Sequence, residues 1–73
     1  MAEGFVHTVY KDDQWVNEIE LGDEVSRHAT KEEAVESGRN LARQRRTEHV
    51  IHNQNGEIAE RSSYGNDPAD RPG

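Results

Sequence analysis

A chain of 73 residues allows one domain and one small core. Apolar residues make up 30%, the net charge is −6 and cysteine is absent, which excludes disulfides, thiolate metal centres and cysteine nucleophiles. The acidity disfavours nucleic acid and anionic membranes as partners, and no apolar run is long enough to span a bilayer.

A core this small usually needs help from oligomerisation once disulfides and thiolate metal sites are removed, so a homodimer is expected. The first ten residues, MAEGFVHTVY, have neither a basic region nor an apolar stretch of the kind that export requires. The expected compartment is cytoplasmic.

In chain order, Phe5 to Lys11 is rich in β-branched and aromatic residues and reads as a strand. Trp15 to Leu21 alternates, with Trp15, Ile19 and Leu21 on one face and Glu18 and Glu20 on the other. Asp12-Asp13 between the two runs is turn chemistry, so a hairpin is expected. Gly22-Asp23 signals another turn, and Val25 to His28 can form a short third strand.

The segment from about 31 to 46 is the clearest element. Thr30 with Glu33 three residues later forms a capping box. Carboxylates fill the first turn and arginines the last, matching the helix dipole. Ala34, Gly38, Leu41 and Ala42 recur at helical spacing, with Val35 on the flank. A mid-helix glycine costs about 1 kcal/mol against alanine, so Gly38 implies a close approach of the helix to the sheet or to a second subunit.

Two short strands, EHVIHN and EIAER, flank Gln54-Asn55-Gly56, a strong hairpin signal. Whether Val50 or Ile51 faces inward depends on the loop length and is left open. The expected fold is α+β: a small antiparallel sheet of four to five strands, ordered β-β-(β)-α-β-β, packed on the one amphipathic helix.

Chemistry-bearing patterns are sparse. His49 and His52, three apart on a strand, point to opposite faces and cannot share one ion. No nucleophile elbow, phosphate loop or dinucleotide fingerprint is present. The expectation is a non-enzymatic protein with no metal or cofactor. Tyr10 and Trp15 are assigned to the core. The sharpest electrostatic feature is the helix. Residues 31–46 carry five basic and three acidic side chains, a net +2, which leaves −8 for the rest of a chain whose total is −6. Arg39, Arg43 and Arg46 lie along one stripe and are the candidate contacts to an anion or a partner. The plainer reading is dipole compensation on a solvated face, and a third is self-association of the basic helix with acidic strands of another copy.

The stretches WVNEIE and HATKEEAVESGRNLARQRRTEHVIHNQNGEIAERSSYGNDP, with the spacing between them, resemble a family of short bacterial proteins, the domain of unknown function numbered 2188. The likeness runs from about Phe5 to Pro68. It implies a small stand-alone bacterial cytoplasmic protein and brings no assigned activity and no site residues. It also places the closing S-Y-G-N-D-P within the family pattern. A single domain over 1–68 is therefore expected, with 62–68 as a C-terminal strap holding Tyr64 against Trp15 or the sheet edge, and 69–73 as a disordered tail. Tyr64 is the fourth candidate contact, should the tail serve recognition instead. The overall expectation is a self-associating interaction module, with nucleic-acid or anion binding through the arginine stripe as the alternative.

Overall fold

The computed structural model describes residues 4–20 and 22–65. Strand β1 (Val6–Lys11) turns into β2 (Gln14–Ile19), and β3 (Glu24–His28) follows. Helix α1 (Lys31–Arg45) then leads to β4 (Glu48–His52) and β5 (Ile58–Ser63). The strands form one sheet in the order β3-β2-β1-β4-β5, with the helix across one face. The fold is α+β, and the third strand is real.

Local chemistry accounts for the turns. Asp12 and Asp13 both take positive φ, 54° and 65°, which closes β1 onto β2 through a two-residue loop. The second hairpin uses three loop residues, Gln54 to Gly56. Asn53 N–H donates to Glu57 O at 2.7 Å, and Gly56 supplies a φ of 95°. Helix α1 starts where expected: Thr30 Oγ1 accepts the Glu33 N–H at 3.2 Å. It ends with Arg46 in the left-handed region, whose N–H and that of Thr47 cap Arg43 O and Ala42 O. A non-glycine residue there costs about 1–2 kcal/mol, offset by the two carbonyls satisfied.

The sheet is mixed, where an antiparallel one was expected. Strands β1 and β4 run parallel, with Val6 beside His49 and Thr8 beside Ile51. The reason is directional. Strands β1 and β3 both run the same way and form the two free edges of the first three strands. A helix crossover from β3 returns β4 in that same direction, so it must pair parallel whichever edge it takes. It takes β1, and the sheet closes with a parallel pair at its centre.

Alternation then assigns the faces. Val6 and Thr8 of β1, Asn17 and Ile19 of β2, and His49 and Ile51 of β4 point to the helix. Val9, Val16 and Val50 point away from it. The open question about Val50 and Ile51 resolves as both: Ile51 packs under the helix, Val50 on the other face, and both are buried. Strand β2 stops at Ile19, and Leu21 lies outside the described residues. Tyr10 and Trp15 sit side by side, ring centroids 5.1 Å apart, with Lys31 Nζ 5.4 Å from the Trp15 ring. Both are half-buried at the rim of the core.

Candidate functional site

The helix meets the sheet along Ala34, Gly38 and Ala42, all buried and four residues apart. Beneath them lies a polar centre. The Thr8 hydroxyl donates to Asn17 Oδ1 at 2.5 Å and accepts from His49 Nε2–H at 2.7 Å. Asn17 Nδ2 donates to Ala34 O at 2.9 Å and to Ser26 Oγ at 3.2 Å. Three strands and the helix are thus tied through one amide. Thr8, Asn17 and His49 are each 0–1% exposed, so the network is paired and dry. Burial, and after it the positive charge of Arg39, pushes the His49 pKa down to about 4. A hydroxyl beside an imidazole invites comparison with a nucleophile and its base. Here the hydroxyl proton is committed to Asn17 and the helix backbone seals the site, so no substrate reaches it.

Gly38 is what lets the helix come down on this centre. A Cβ at that position would stand 2.6 Å from Asn17 Oδ1, 2.6 Å from His49 Nε2 and 2.8 Å from Thr8 Oγ1. The close approach expected from the sequence is made to the sheet.

The helix-free face is accessible and carries the remaining polar chemistry. Val16 and Val50 are buried at its middle. By register Val16 is flanked by Val9 and Arg27, and Val50 by His7 and Arg61. Around them run two cross-strand ion pairs, Lys11 with Glu18 at 2.5 Å and Arg61 with Glu48 at 2.8 Å, and one within β3, Arg27 with Glu24. Glu18 raises the Lys11 pKa by hydrogen bonding and charge. On the same face His7 Nδ1 stands 3.0 Å from His52 Nε2. His49 and His52 do point to opposite faces, as their spacing required. The pairing of His52 with His7 had no signal in the sequence, because it depends on β4 choosing β1 as its neighbour.

Of the candidate contacts read from the sequence, Arg39 and Arg43 are exposed one turn apart on α1, and Arg46 is exposed at its C-terminal cap. Tyr64 is half-buried, and its N–H donates to Thr47 O at 3.2 Å. Gly65 lies against the Arg46 carbonyl, where a Cβ would stand 3.0 Å from it. The structure therefore brings Tyr64 to the end of the helix where Arg43 and Arg46 sit. Tyr64 is at the sheet edge, and at the end of the sheet away from Trp15. Ser62 and Ser63, taken as the start of a strap, extend β5 as an edge strand. The rest of the expected strap and the tail lie outside the described residues.

A protein-family model matches residues 6–64, which is every strand and the helix. The chain belongs to the DUF2188 family. That family is described as uncharacterized protein conserved in bacteria. No curated protein and no solved structure matches the chain significantly. Among the described residues no helix of this DUF2188 chain is long and apolar enough to cross a membrane.

Proposed function

We propose that this chain is a non-enzymatic interaction module of the bacterial cytoplasm that works as a homodimer. The observation that carries the reading is the free outer edge of β5. Among the described residues strand β5 pairs only with β4, nearly all its side chains are exposed, and Ile58 at its start is 53% exposed. An edge with an unpaired row of backbone groups is a template for adding another strand. The uneven charge adds to this, since a basic helix and an acidic remainder are complementary between copies. Light scattering of the full chain at high micromolar concentration should give twice the monomer mass, and Ile58→Lys should shift it to the monomer. A monomer at that concentration overturns the dimer.

The second reading is anion or nucleic-acid binding through Arg39, Arg43 and Arg46. It is favoured by one observation, the gathering of Arg43, Arg46 and Tyr64 at one end of the helix. The net charge of −6 opposes it. Titration against duplex and single-stranded DNA and RNA over a salt series separates the two, because phosphate contacts give a steep salt dependence.

A further inference from the structure

The geometry points to a binding site for a late divalent transition ion on the helix-free face, formed by His7 Nδ1 and His52 Nε2. The two nitrogens stand 3.0 Å apart, with their rings 5.2 Å apart between centroids. Two imidazoles bound to one ion at about 2.0–2.1 Å hold their nitrogens about 2.9–3.4 Å apart, over the range from octahedral to tetrahedral angles. The nitrogen spacing suits a shared cation, although the rings now point at each other as hydrogen-bonded partners and each must rotate to aim its lone pair at the ion.

The far sides of both rings support this. His52 Nδ1 stands 3.2 Å from Gly56 O. A carbonyl only accepts, so Nδ1 carries the proton and the Nε2 lone pair faces His7. On the other ring, His7 Nε2 stands 3.8 Å from Glu20 Oε1. Glu20 is itself anchored, its N–H donating to Phe5 O at 2.8 Å and its carboxylate accepting from Phe5 N–H at 3.4 Å. While the rings are hydrogen-bonded the shared proton sits on His7 Nδ1, because His52 Nε2 offers only a lone pair. An ion at Nδ1 would move that proton to Nε2, which faces the Glu20 carboxylate. One carbonyl and one carboxylate behind two histidines is the support that metal-ligating imidazoles have. Without an ion, one N–H between the rings joins them. With the proton moved to face Glu20, both lone pairs are free to take one ion once the rings rotate toward it.

Among the described residues no third histidine or carboxylate completes the set. The nearby carboxylates are engaged, Glu18 with Lys11 and Glu48 with Arg61. Water or a partner's ligand fills the remaining positions. Two imidazoles with water select Cu2+ above Ni2+ and Zn2+. The site is open to solvent, with the His7 side chain 24% exposed.

The test uses the tag-free full chain titrated with Cu2+ in a weakly coordinating buffer. One ion should bind per chain, with an electron paramagnetic resonance signal showing coupling to two nitrogens. His7→Asn and His52→Asn should each weaken binding by at least about tenfold, whereas His28→Asn, on β3, should not. Should either variant fail to fold, nitrogen NMR of the wild type decides. Sub-stoichiometric Cu2+ should broaden His7 and His52 and spare His49. Equal binding by wild type and both variants, or broadening of all histidines alike, overturns the site.

Discussion

His49 Nε2 donates to Thr8 Oγ1 across the only parallel pair of strands in the described sheet, 2.7 Å apart and under a glycine that leaves no room for a methyl group. One neutral imidazole therefore joins the first strand to the fourth, 41 residues later.

The protonation of His49 sets a pH dependence of stability. Its pKa is about 4 when folded against about 6.5 in the unfolded chain. Between these values the unfolded state binds more protons, so stability rises with pH. The contribution is fully present above about pH 6.5 and is lost as pH falls toward about 4, a loss on the order of 2–3 kcal/mol. Urea melts across this window should show the slope, and His49→Gln should flatten it. An identical slope in that variant would assign the effect to other groups.

Gly38 should tolerate no side chain. On an exposed helix, Gly38→Ala would gain about 1 kcal/mol from propensity. Here the new methyl meets three polar atoms locked in one another's hydrogen bonds, so relief means breaking a buried bond at about 1–3 kcal/mol. Gly38→Ala should lower the melting temperature and Gly38→Leu should lower it further. A rise in either would show that the helix sits higher on the sheet.

Removing the chain after Arg61 deletes two rungs of the β4–β5 ladder, His49 with Ser62 and Glu48 with Ser63, and the bond from Tyr64 to Thr47. Together with the half-buried Tyr64 ring, this should cost about 1–3 kcal/mol. Calorimetry of the shortened chain measures it. An unchanged melting temperature would leave Tyr64 free to act as a contact to a partner.

The hairpins, the capped helix and the need for Gly38 were legible because each rests on neighbouring residues: Asp12-Asp13, Asn55-Gly56, Thr30 with Glu33. What was not legible depends on which strands become neighbours. Asn17 and His49 look like surface residues in the sequence, since a polar residue within a strand ordinarily marks the wet face. They are core only because each finds a partner on another strand, Thr8, that reaches both. The His7–His52 pair was hidden for the same reason. The antiparallel expectation erred where no local signal exists, at the seam between β1 and β4. The sequence leaves the choice for Tyr64 between Trp15 and the sheet edge, because the count of aromatic residues says that a ring needs a neighbour and not which one.

That seam divides the molecule into two locally closed parts. Strands β1 to β3 form a meander from residue 6 to 28, and β4 with β5 forms a hairpin from 48 to 63. Each part is built from contacts near in sequence. Their union must wait for the helix to span the gap, and it gains little until Thr8, Asn17 and His49 meet. Closure of the seam makes the contacts most distant in sequence, so it is the step expected to be slow. Amides of Val50 and Ile51 should exchange with solvent only through global unfolding, while those of β3 and β5 escape by fraying. Faster exchange at Val50 than in β5 would mean that the two parts separate while each stays folded.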